Sequence, residues 1–145
     1  MNKQETVQLL ALIKVAYPTA YRDMDDTTKK ATVNMWAGSF PNVPYPIMEQ
    51  AFNHFRMQSK FPPTVAEMVE ELKHIHYHAE ECAAVNHTMG DYEAVKHYQA
   101  IMAITLPYKD SSNLGLHLSK LPNLLTGGQD ETQIHIHSTL RNRLG

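Results

Sequence analysis

Four times within the first 73 residues, apolar side chains recur at spacings of three and four, and a proline or a capping residue brackets each recurrence. Leu9, Leu12, Ile13 and Ala16 form the first set, flanked by Val7 and Leu10, with Lys3, Gln4, Glu5, Gln8 and Lys14 mostly opposite. This period places the apolar residues on one face, so residues 3–16 are expected to form an amphipathic helix. It must end near Tyr17-Pro18, because proline disfavours the helical backbone of the residue before it. Asp25 or Asp26 can cap a second helix with the face Val33, Trp36, Ala37 and Phe40, closed by Gly38-Ser39-Phe40-Pro41-Asn42. Pro44 and Pro46 open a third, where proline in the first turn sacrifices no hydrogen bond, and its face is Met48, Ala51, Phe52 and Phe55.

The fourth set follows the corner Phe61-Pro62-Pro63. Thr64 and Glu67 have the spacing of a capping box, each able to satisfy the other's free backbone N–H. Behind them Val65, Met68, Val69 and Leu72 share one face. The single tryptophan and all four phenylalanines lie between Trp36 and Phe61, and all five are assigned to the core because each reads in register with a helix face.

Beyond Leu72 the pattern thins. Ile75, Ala79, Cys82 and Ala83 can prolong the fourth helix to about Asn86. Met89-Gly90 breaks it, Asp91 can cap a fifth helix, and Tyr92, Val95, Tyr98 and Met102 give that helix a narrower stripe ending before Pro107. From residue 106 turn signals accumulate and aromatics vanish after Tyr108. The expectation is an all-α chain: a compact four-helix N-terminal bundle over residues 1–73, a helical extension over 74–105, and a largely irregular, flexible tail over 106–145. Within that tail Leu114, Leu116, Leu118, Leu121, Leu124 and Leu125 form a leucine patch with two readings. It is a segment that folds against a partner, or it docks onto the protein's own helices.

Composition removes several function classes. Thirteen basic against fifteen acidic side chains leave a net charge of −2, with no global attraction to nucleic acid or anionic lipid. No apolar run approaches the roughly 20 residues of a membrane span. The lone Cys82 precludes an internal disulfide and fits a reducing compartment. It also stands beside Glu80 and Glu81, which disfavour a reactive thiolate. There is no glycine-rich phosphate loop, dinucleotide fingerprint or nucleophile elbow, so neither catalysis nor a cofactor is expected. Among the nine histidines, His74 and His78 are four apart with His76 between them and Cys82 one turn on, which is half a zinc site. No second pair completes it, and solvated surface histidines are the simpler reading. Arg22, Lys29, Lys30, Arg56 and Lys60 make at most a modest basic patch, so direct nucleic-acid binding is expected to be weak or absent.

The run Leu9-Leu10-Ala11-Leu12-Ile13-Lys14-Val15-Ala16-Tyr17-Pro18, then Trp36, then Lys60-Phe61-Pro62-Pro63-Thr64-Val65-Ala66-Glu67 resembles the phage replicative-helicase loader and inhibitor family of low-GC Gram-positive hosts. The resemblance covers about residues 1–73. It implies a folded helical N-terminal domain, with Tyr17, Pro18, Trp36, Phe61, Pro62, Pro63, Thr64 and Glu67 as structural signature positions. It implies a non-enzymatic protein in the cytoplasm of an infected bacterium, whose C-terminal part binds a hexameric replicative helicase and holds it inactive. A second implied partner is the phage origin-binding initiator. The leucines from Leu114 to Leu125 are then the expected partner segment. A small helical DNA-binding or transcription-regulating phage protein, using the five basic residues above, is the alternative reading.

Overall fold

The computed structural model describes residues 1–110. Five α-helices follow in order: α1 Lys3–Ala16, α2 Asp26–Ser39, α3 Tyr45–Arg56, α4 Val65–Met89 and α5 Tyr92–Thr105, with a 3₁₀ turn at Leu106–Tyr108. No strand occurs among the described residues.

Local chemistry accounts for the boundaries. Asn2 accepts from the Glu5 N–H while Glu5 accepts from the Asn2 N–H, a capping box at α1. Asp25 caps α2 through the Thr28 N–H, and Pro46 occupies the first turn of α3. The predicted Thr64–Glu67 box starts α4, with the Thr64 N–H donating to Glu67 Oε2 at 2.7 Å. No proline or glycine follows until Gly90, so the helix runs for 25 residues, about 37 Å. Gly90 ends it at φ +78°, a left-handed conformation that costs glycine little, and Asp91 then caps α5.

The core contains Leu9, Ile13, Trp36, Phe40, Val43, Met48, Ala51, Phe52, Phe55, Met68, Val69 and Leu72, joined by Met1, Ala20 and Tyr108. The α3 face is buried as its spacing predicts. The α1 face departs at Ala16, which is exposed, while Thr6 is buried and turns its hydroxyl onto the Asn2 carbonyl. The Met1 ammonium donates to the carbonyls of Phe40, Val43 and Pro41 at 2.6, 2.7 and 3.3 Å, fastening the start of α1 to the end of α2. Burial holds that amine below its ordinary pKa, with the nearby Glu5 charge opposing.

The extension over 74–105 folds as a hairpin. After the tight turn at Gly90-Asp91, α5 runs back along α4 in the most extensive helix–helix contact of the structure. The buried positions of α4 end at Ala79, so the ten residues beyond it pack only against α5 or face solvent. At the base of the hairpin, the buried His76 Nδ1 lies 2.9 Å from Thr105 Oγ1, whose hydroxyl donates to the Ile101 carbonyl. With that proton committed, His76 Nδ1–H is the donor and Nε2 carries the lone pair; Nε2 is buried without a partner. Burial first and Lys109 second push the His76 pKa below its ordinary 6.5, while Glu80 and the Met102 backbone act in the opposite sense.

Residue 106 is not where the fold lets go of the chain. The 3₁₀ turn carries Tyr108 back into the core, 3% exposed, its ring 5.8 Å from that of Phe40 and its hydroxyl donating to the Ser39 carbonyl at 3.0 Å. The boundary expected at 106 therefore moves past Tyr108. Its aromatic ring escapes a periodicity reading because it lies beyond Pro107, outside any helical register. Burial pushes its phenol up to about 12, so it stays a neutral donor at any physiological pH.

Two outcomes are expected. Tyr108→Ala costs roughly 3 kcal/mol of stability and Tyr108→Phe about 1 kcal/mol, measured by urea unfolding, because the first removes the ring and the second only the buried hydrogen bond. His76 is depressed in the fold, so its contribution is complete above pH 6.5 and declines as pH falls through the lower folded-state value. The gap in melting temperature between wild type and His76→Gln accordingly narrows from pH 7.5 to pH 5.5; a constant gap contradicts this.

Candidate interaction surface

The two corners singled out in the sequence meet. Tyr17, half-buried, packs edge-on against Phe52 with ring centroids 6.3 Å apart, and its hydroxyl donates to the Ser59 carbonyl at 2.9 Å. Ser59 in turn clasps the next bend: its hydroxyl donates to the Phe61 carbonyl and its Oγ accepts from the Phe61 N–H, at 3.0 and 3.2 Å. Pro63 is buried, Pro62 half-buried, and Thr64 with Glu67 closes the start of α4. The loop from Met57 to Thr64 is thus held from both sides. Trp36 stands apart from it, 2% exposed in the core, its ring 6.0 Å from that of Phe40. Pro18 is exposed beside Tyr17.

Phe61 overturns its assignment to the core: it is 76% exposed. It lies between helices, where the helical register used to place it does not apply. The Ser59 clasp fixes the backbone there, and Pro63 takes the inward position. Met57, four residues earlier and just past the end of α3, is 82% exposed. An apolar pair thus stands on a braced loop. The signal available in the sequence is the position of Phe61 ahead of two prolines, outside any apolar repeat.

The basic residues are spread over several elements. Arg22 belongs to the α1–α2 loop, Lys29 and Lys30 to the first turns of α2, Arg56 to the end of α3 and Lys60 to the corner. Lys29 pairs with Asp26 at 3.3 Å on an exposed surface, a contact of little energy. Arg56 and Lys60 form no ion pair among the described residues and flank Met57 and Phe61 in sequence.

Four α4 residues, Glu71, His74, Ile75 and His78, line an open cavity of about 340 Å³ with Gln50 and His54 of α3. His54 Nδ1 lies 2.6 Å from the carboxylate of Glu71, which is 8% exposed, and the Gln58 amide sits against the same ring. This pairing across 17 residues leaves no trace in the sequence. It gives Glu71 the partner that a buried carboxylate requires. His78 instead faces Cys82, with Sγ 3.8 Å from its ring nitrogens. Among the described residues no three His, Cys, Asp or Glu side chains are grouped to hold a metal ion. No helix among them is long and apolar enough to cross a membrane. At the far end of the hairpin Val85, Met89 and Tyr92 are exposed. Leu114, Leu116, Leu118, Leu121, Leu124 and Leu125, and the other tail residues, lie outside the described residues.

Comparison with known proteins adds one assignment. A search of curated proteins and a search of solved structures each return no match. The family model for the N-terminal domain of the phage helicase loader and inhibitor matches residues 1–69, a span holding α1, α2, α3 and the first five residues of α4. That span includes both braced corners and most of the core, so the N-terminal part of this chain belongs to the phage helicase loader and inhibitor family.

Proposed function

We propose that this protein is a non-enzymatic accessory of phage DNA replication that binds a hexameric replicative helicase, restrains it, and delivers it to an origin-bound initiator. The observation that carries this reading is the match to the loader's N-terminal domain over residues 1–69, on a chain with no phosphate-binding loop of its own. A protein without such a loop acts on a nucleotide-driven motor by differential binding to its states, not by turnover. The leucine segment from Leu114 to Leu125 is the proposed helicase contact, since six leucines in a polar tail suit an apolar groove on a partner. The proposed site of action is the cytoplasm of the infected bacterium, with nucleic acid reached through the partners and not directly.

The expected outcome is a stable complex with a hexameric replicative helicase in size-exclusion chromatography, with suppressed ATPase activity. A chain ending at Asp110 keeps Tyr108 and hence its melting temperature, but its affinity drops by about tenfold or more. Wild-type affinity in that shortened chain removes the leucine assignment, and absence of any complex with the full chain removes the functional reading.

A further inference from the structure

Phe61 and Met57 are the feature that the fold does not explain. Exposed single apolar residues are ordinary on protein surfaces, but these two stand four residues apart on one loop. That loop is held by the Tyr17 hydroxyl on the Ser59 carbonyl, by the double Ser59–Phe61 hydrogen bond, and by Pro62-Pro63. Side chains presented from such a loop lose little backbone freedom on binding, which is the condition under which an exposed aromatic contributes most to an interface.

The charge around the pair selects the occupant. From Phe55 to Ala66 the chain carries Arg56 and Lys60 and no carboxylate, although the protein as a whole is net negative. Glu67, the first acid after them, has its carboxylate turned back onto the Thr64 N–H and hydroxyl. Neither cation is in an ion pair among the described residues. A rigid aromatic–methionine pair flanked by two such cations complements an apolar recess rimmed by carboxylates. Methionine beside the ring suits a protein recess, since it adapts to irregular apolar walls, whereas a nucleic-acid platform stacks successive bases on aromatic rings.

We infer that the Met57–Phe61 corner is a second protein-docking element, which inserts Phe61 into an acid-rimmed apolar recess of the proposed helicase partner, so that the inference rests on that functional reading. The leucine segment and the corner then engage together, and linkage makes the affinity of the whole chain exceed that of either part.

The test uses the full chain with purified hexameric helicase, measured by calorimetric titration at low and moderate salt. Phe61→Ser and the double variant Met57→Ser/Phe61→Ser keep the wild-type melting temperature, because both side chains already face water. They are expected to weaken the complex about tenfold or more. Arg56→Glu/Lys60→Glu weakens it too and flattens its salt dependence. Wild-type affinity in the double variant overturns the inference while leaving the leucine contact standing. So does binding of single-stranded DNA, or self-association, that is lost in Phe61→Ser with helicase affinity unchanged. If the wild-type chain forms no helicase complex, the functional reading falls and this inference falls with it.

Discussion

Phe40 is the point on which the rest of the structure closes. Its ring is fully buried and meets the rings of Trp36, one turn earlier on α2, and Tyr108, near the end of the described chain. Its carbonyl, left without a helical partner at the end of α2, accepts from the Met1 ammonium. One residue thus gathers the first residue, the second helix and the turn that follows the fifth. Helix ends must satisfy their free carbonyls somewhere. Here the Phe40, Pro41 and Val43 carbonyls take the amine and the Ser39 carbonyl takes a phenol, so the close of α2 becomes the junction of the fold.

The family domain and the physical unit do not coincide. The match ends at residue 69, five residues into a helix that continues without interruption to Met89. Met68, Val69 and Leu72 bind α4 to the bundle; His76 and Ala79 carry the same helix into the hairpin with α5. With neither proline nor glycine between Thr64 and Gly90, the helix has no hinge at which the hairpin could turn independently. The exposed tip at Val85, Met89 and Tyr92 is therefore held at a set direction relative to the braced corner at the other end of α4.

Most of the architecture is readable in the sequence because each helix announces itself twice, by an apolar period and by a cap or a first-turn proline. Met48, Ala51, Phe52 and Phe55 are all buried as spacing requires, and the Thr64–Glu67 box forms as its spacing predicts. The failures share a cause. Phe61 and Tyr108 both adjoin prolines outside α-helices, where no period says which way a side chain faces; one reads as core and lies outside, the other reads as tail and lies in the core. The His54–Glu71 pair and the Tyr17–Ser59 bond join residues 17 and 42 positions apart, and such contacts follow from helix packing, not from local pattern.

The position of Tyr108 has a consequence for how the protein is made. Its partner carbonyl on Ser39 lies 69 residues earlier, so the core cannot be completed when the family domain has been synthesised. At bacterial elongation rates, on the order of 5–20 residues per second, the 39 residues between positions 69 and 108 take roughly two to eight seconds. During that interval the Phe40 ring lacks its final cover, and the nascent domain presents an apolar opening beside the end of α2. Only when the ribosome has released the turn after α5 does the structure shut, which makes the last described aromatic the closing step of folding.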